Sequence, residues 1–269
     1  MKHRKLLLLT PVIILTFLYF LVSYSDLLPD GLTHESFTVI MIFLATIYLW
    51  ATEVIPLPVT AFLGIFLLAL SGSVSLADSL YGLGSRVVFL IIVGFFLAAG
   101  LTKSGLDKRI AYNILRHTHS EHSVLLGVIL ITSFLSMIIS NTTTTLLMIP
   151  IALHVMHKVR MNNEALLLGI AFAANVGGAG LLIGTPPNII GSEALGWGFY
   201  EWMVHALPFT LIMILLLYLS FIFYFKPKHE RIKKHLVADL GPLKPEEKKA
   251  GLIIIFTLLL WVSSPFHHL

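Results

Sequence analysis

The chain has 269 residues, 57% of them hydrophobic and only 12% charged, with a net charge of +4 and a mean hydropathy of +0.91. A soluble domain carries about 25% charged residues, so this composition excludes one and predicts a polytopic membrane protein. The absence of cysteine excludes disulfides and thiolate chemistry, and basic residues placed between long apolar runs exclude a nucleic-acid-binding face.

About 20 apolar residues cross a bilayer. On that measure spans are expected over 6–24, 36–51, 57–71, 87–102, 164–190 (interrupted), 200–225 and, incompletely, 250–264. The first follows "MKHRK" and reads as a retained span. It is long for a signal peptide's apolar region and lacks a small-residue cleavage site. Glu53, in "WATEVIPLPVTAFL" at 50–63, reads as the end of a short loop against Pro56 and Pro58 rather than a binding residue.

Lysine and arginine orient the spans, because cytoplasmic loops are enriched in both. Lys2, Arg4 and Lys5 put the N-terminus in the cytoplasm of a plasma (inner) membrane protein. The acidic 25–35 loop lies outside, and Lys103, Lys108, Arg109 and Arg116 lie inside. The 191–201 loop, with Glu193 and Glu201, is outside, and the eight Lys and Arg residues of 226–249 are inside. His117, His119 and His122 fall in a basic loop and do not read as a metal site.

The segment 123–157 has basic flanks on both sides, Lys103 to Arg116 before it and Lys158 and Arg160 after it. One crossing would put one flank outside, so the segment is expected to be a re-entrant helical hairpin. Its tip is "SNTTTT" at 140–145. Where two helix ends meet, the last carbonyls of one arm, from Ser136 to Ile139, suit a small cation. The free N–H groups that open the other arm, near Asn141, suit an anion. The Asn141 amide carries an acceptor and a donor for the two tasks. The plainer alternative is that these hydroxyls bond back to their own helix or join helices together. A second interruption, "NVGGAGLLIGTPPNIIG" at 175–191, cannot stay helical at Pro186 and Pro187. Paired discontinuous elements of this kind point to a transporter's binding site.

"SNT" at 140–142, "IGTPPN" at 183–188 and the 50–63 segment resemble, in that order, motifs of the divalent anion/sodium symporter family of dicarboxylate, citrate and sulfate carriers. The resemblance implies an all-α polytopic helical bundle built as two inverted repeats, each with a re-entrant hairpin and a discontinuous helix. Only one Ser-Asn-Thr is present, so the chain matches an N-terminal half. It divides into a first helix and outside loop (1–35), the first repeat (36–225), a basic cytoplasmic loop (226–249) and the start of a second repeat (250–269).

By the same resemblance, Na+ would be held by Ser136, Ile139, Asn141 and Gly184. The anion would meet Ser140, Asn141 and Thr142, with Thr185, Pro186, Pro187 and Asn188 nearby. Thr143 to Thr145 are not required, since back-bonding to the helix explains them. The expected activity is secondary transport of a divalent anion such as a C4-dicarboxylate, citrate or sulfate, coupled to Na+ as the coupling ion, with no other cofactor. The expected partners are the lipid bilayer, a missing C-terminal half or second chain, and a second copy in a homodimer. The alternatives are an anion exchanger of the same family, a channel, or a half-length chain that does not transport. An intramembrane enzyme is disfavoured because the membrane interior, away from the span ends, offers little beyond His154 and Glu53, with no paired acid, base or metal spacing.

Overall fold

The computed structural model describes residues 10–23, 28, 31–158, 161–228 and 240–267. Lys2, Arg4, Lys5, Asp26, Asp30, Arg160 and the 229–239 part of the basic loop lie outside the described residues, as do the ends of the first expected span. Every regular element among the described residues is a helix. The chain divides into two compact units, Met1–Val88 and Phe89–Leu269.

The first unit holds α1 (Thr10–Ser23), α2 (His34–Thr52), α3 (Leu57–Leu70) and the short α4 (Leu76–Tyr81). Thr33 starts α2, its hydroxyl accepting from the Ser36 N–H at 3.1 Å. Glu53 ends it in the left-handed region at φ 48°, and α3 starts four residues later behind Pro56. Glu53 is therefore the corner between two helices, as its neighbouring prolines suggest. Gly64 of α3 lets Thr46 of α2 approach closely, since a Cβ there would sit 3.0 Å from the Thr46 hydroxyl. Close approach through small residues is how apolar helices pack where lipid offers no hydrophobic drive.

The helix α5 (Arg86–Ser104) continues from the first unit into the second. The next segment, expected as a plain basic loop, is a helix, α6 (Leu106–Arg116), bent by 64° from Val88–Ser104. Its apolar residues recur at helical spacing: Ala111 and Leu115 are buried, and Leu106, Ile110 and Ile114 pack on the core beside them. The four charges among them hid this stripe in the sequence. Arg109 ties α6 to α12 (Pro245–Val262) and the chain before it, donating to the Gly241 carbonyl at 2.7 Å and pairing with Glu247 in the first turn of α12 at 2.8 Å.

At the centre of the second unit, α7 (Glu121–Ser136), α8 (Asn141–Lys158) and α11 (Phe199–Phe225) pack around α9 (Asn163–Gly178). Caps start them. Ser120 accepts from the Ser123 N–H at 3.2 Å before α7, and Asn162 accepts from the Glu164 N–H at 2.8 Å before α9. Val124, Leu125, Val128, Ile129 and Ile131 of α7 meet Ala165, Leu166, Ile170 and Ala173 of α9 in a fully buried core. Gly177 makes this contact possible, because a Cβ on it would collide with the Ser133 backbone.

By length and hydropathy, α2 and α11 are long and apolar enough to cross a membrane. The 16 residues of α7 extend about 24 Å at 1.5 Å per residue, short of the ~30 Å hydrocarbon core. A break of four residues, 137–140, separates α7 from α8, and a break of seven, 179–185, separates α9 from α10 (Pro186–Leu195). The helix α10 occupies much of what reads as the 191–201 loop in sequence, leaving 196–198 as the connection to α11.

Candidate functional site

The two breaks lie together. At the first, the chain turns between Ser136 and Asn141, and the carbonyls of Ser133, Phe134 and Leu135 are taken up by the N–H groups of Met137, Ile138 and Ile139 in a tightened turn. Ser140 caps α8, its hydroxyl accepting from the Thr143 N–H at 3.3 Å. The helix therefore restarts at Asn141, and Thr142 to Thr145 lie in its first turns rather than in a loop. Thr145 bonds back to the Asn141 carbonyl at 2.8 Å, as expected of a threonine inside an apolar helix. Thr144 is fully buried, and its hydroxyl has no hydrogen-bond partner among the described residues.

Carbonyls of α9 and of the turn that follows it are met one by one. Ser133 donates to Ala173 O at 3.2 Å, and Trp202 of α11 donates to Ala179 O at 3.1 Å. The Asn188 side-chain amide donates to both Gly178 O and Leu181 O at 2.8 Å. Buried carbonyls demand such partners, and Asn188 is itself buried. Thr185 is half-buried, and Pro186 and Pro187 are exposed at the start of α10, where the missing N–H of proline costs nothing.

Between the breaks oxygens converge. The Ser136 hydroxyl lies 2.7 Å from Ala174 O and 2.8 Å from Asn141 Oδ1, two acceptors for a single proton. A Cβ on Gly178 would collide with Asn141 Oδ1, and one on Gly184 would collide with Gly178 O and lie 3.0 Å from Ser136 O. The two glycines thus admit Ser136, Asn141 and the 179–184 turn into one cluster of neutral oxygens. Ile139 is buried beside it in sequence, its N–H bonded to Leu135 O at 2.9 Å. The other side of the Asn141 amide faces a cleft of about 270 Å³ lined by Asn141, Thr142, Thr145, Leu146, Ala171, Ala174 and Asn175. Thr185 to Asn188 do not line this cleft.

Asn175 is the residue that reading the sequence for motifs misses. It stands in the cleft and accepts from Asn141 Nδ2 at 3.1 Å. Its signal was an amide two residues before paired glycines in an apolar helix.

Residues 47–269 match the citrate transporter family. The chain belongs to that family. Separately, the sodium-dependent dicarboxylate transporter SdcS of Staphylococcus saprophyticus is 32% identical over 267 residues, covering 88% of this chain and 51% of that protein. The protein of the same name from Staphylococcus aureus strain USA300 is 32% identical over 276 residues, covering 93% of this chain and 53% of that protein. The chain spans about half the length of the curated relatives it matches. Membership of the citrate transporter family, with its apolar helices, makes this a multi-pass membrane protein of a transporter family and not an enzyme.

Proposed function

We propose that this chain carries one half of the site of a secondary transporter for a divalent anion, a C4-dicarboxylate or citrate, coupled to sodium. The observation that carries the reading is the oxygen cluster at Ser136, Asn141 and Gly184, where the one Ser136 proton serves two acceptors. A hard cation with oxygen ligands removes that deficit, and the donor side of the same Asn141 amide opens on a polar cleft. No lysine or arginine lies in 124–156 or 165–225. An anion brought here meets only neutral dipoles, while burying an unpaired charge costs several kcal/mol and a helix terminus offsets about 1–2 kcal/mol. A mobile cation supplies the rest. The words "sodium-dependent dicarboxylate transporter" in the names of the relatives support the same pairing.

In this reading α7 and α8 form a re-entrant hairpin entered from the cytoplasm, supported by arms short of a full crossing and by basic flanks on both sides. The N-terminus is cytoplasmic and the membrane is the plasma membrane. An inverted second repeat, on a continuation of the chain or on a second chain, completes the site, and the full carrier pairs as a homodimer.

The test is linkage. In the full carrier, dicarboxylate affinity should rise with sodium, and sodium affinity should rise with dicarboxylate by the same factor. Anion binding indifferent to sodium over a wide range would favour an exchanger instead. Orientation is tested with single cysteines at exposed positions: Glu193→Cys should react with an impermeant reagent from outside intact cells, and Lys248→Cys should not.

A further inference from the structure

We infer that Asn175 is a positioning residue that fixes which way round the Asn141 amide sits, and so sets which of the two ions each face of that amide serves. The inference rests on the proposed coupling of anion and sodium at Asn141.

An Asn side chain can turn over by 180° with almost no change of shape, so its oxygen and nitrogen are assigned by their partners. The Ser136 side cannot make this assignment. Its hydroxyl can donate to Asn141 Oδ1, or donate to Ala174 O and accept from an Asn141 NH2 turned the other way, since both atoms lie within 2.8 Å. Either arrangement satisfies a hydroxyl.

The Asn175 side decides it. Asn175 Nδ2 donates to the Ala171 carbonyl one turn back in α9, at 3.1 Å. A carbonyl can only accept, so the Asn175 nitrogen must face Ala171 and its oxygen must face outward. That oxygen stands 3.1 Å from the Asn141 amide nitrogen and can only accept in turn. The sequence Ala171 O, Asn175, Asn141, Ser136 therefore has one direction, set at a main-chain carbonyl. It points Asn141 Oδ1 into the oxygen cluster beside Gly178 and Nδ2 to the cleft. Without Asn175 the turned amide would bring N–H groups into the cluster, where they repel a cation, and its oxygen to the cleft, where it repels a carboxylate.

Asn175 also holds only one of the two Asn141 N–H groups, leaving the second for an anion in the cleft that both asparagines line. A carboxylate at position 175 would act as a built-in anion there. It would accept from Asn141 in either of its own orientations, keep Oδ1 on the cation side, and place a fixed negative charge where the substrate binds.

The experiment measures sodium and succinate binding by titration calorimetry on the purified full carrier, unmodified and as Asn175→Leu and Asn175→Asp, with a melting curve to show that each is folded. Asn175→Leu should weaken sodium binding about tenfold, the scale of one lost hydrogen bond to an ion's ligand. Asn175→Asp should bind sodium in the absence of succinate at least as tightly as the unmodified carrier, and should lose succinate. A merely structural residue would not restore sodium in the aspartate variant. Unchanged sodium affinity in folded Asn175→Leu, or equal loss in both variants, would overturn the positioning role and leave the coupling intact. Failure of the unmodified carrier to bind sodium would overturn the coupling itself, and the role of Asn175 with it.

Discussion

The side-chain amide of Asn188 reaches back across the helix break to the carbonyls of Gly178 and Leu181, 2.8 Å from each. The sequence motif around it reads as cavity lining, yet the residue is buried and both its N–H groups close the interrupted helix. Asn188→Asp keeps the shape and removes both donors. It leaves the buried Gly178 carbonyl facing a carboxylate without its donor, at a cost of about 1–3 kcal/mol, while Leu181 O keeps only the Gly184 N–H at 3.0 Å. A clear fall in melting temperature is expected for Asn188→Asp in detergent, larger than for Pro187→Ala, whose side chain is exposed. Equal melting temperatures would return Asn188 to the cavity wall.

Helix contact is tested at two glycines of α9. In Gly177→Ala the new methyl meets the Ser133 main chain, which cannot swing away. In Gly169→Ala it meets the ends of Leu125, Phe221 and Ile129 at 3.6–3.7 Å, ordinary contact. Overpacking costs about 1–3 kcal/mol, whereas alanine is favoured over glycine inside a helix by about 0.8–1 kcal/mol. Gly177→Ala should melt well below the unmodified protein, and Gly169→Ala at or above it.

These residues show what the sequence can carry. Apolar runs located α2, α3, α5 and α11 to within a few residues, because each run is bounded by polar residues, prolines or glycines that start or end a helix. Pro186 and Pro187, expected to be non-helical themselves, instead open α10 and mark the end of the second break, because the residue before a proline avoids the helical region and Thr185 is extended. The first break came out displaced from the expected 140–145: Ser140 caps α8, so the break is 137–140 and the threonines are helical. Polarity marked the place, but a cap and a loop are built from the same residue types. The pairing of Asn175 with Asn141 spans 34 positions, and nothing local announces it.

Asp107 gives a pH prediction. It is fully buried in α6, outside the expected spans, with Oδ1 accepting from the Lys108 N–H at 2.7 Å and Oδ2 without a partner among the described residues. Burial raises its pKa above the usual carboxylate value, against smaller opposing effects from Lys108 and Thr102. A raised folded-state pKa means that the stability Asp107 contributes is complete below its unfolded pKa and is lost as pH rises through the folded value. Asp107→Asn should therefore raise the melting temperature at neutral pH, with the gain shrinking as pH falls into the carboxylate range. Glu247 runs the other way. Its pKa is lowered by the Arg109 guanidinium, so its contribution is present above its unfolded pKa and fades on acidification. An Asp107→Asn gain that is the same at every pH would show that packing, not charge, is responsible.

The sharpest contrast in the site lies one turn apart on α8. Asn141 presents an oxygen to the Ser136 cluster and a nitrogen to the cleft, so in the proposed site Asn141→Ala removes a group from both ions at once. Hydrogen bonds to charged groups are worth about 1.5–3 kcal/mol, tenfold or more in affinity, and both sodium and anion binding should fall by at least that factor in the full carrier. Thr144 is more deeply buried than Asn141 and sits in the same conspicuous run, yet its hydroxyl has no partner among the described residues. Its N–H bonds to the Ser140 carbonyl at 2.9 Å, a main-chain contact that any residue keeps. Thr144→Val exchanges an unsatisfied buried hydroxyl for a methyl of the same shape. It should leave both affinities unchanged and hold or raise the melting temperature. If Thr144→Val weakened binding as much as Asn141→Ala, the ions would be recognised by the hydroxyls of the run, and the assignment of cap, cation ligand and anion donor to Ser140 and Asn141 would be wrong.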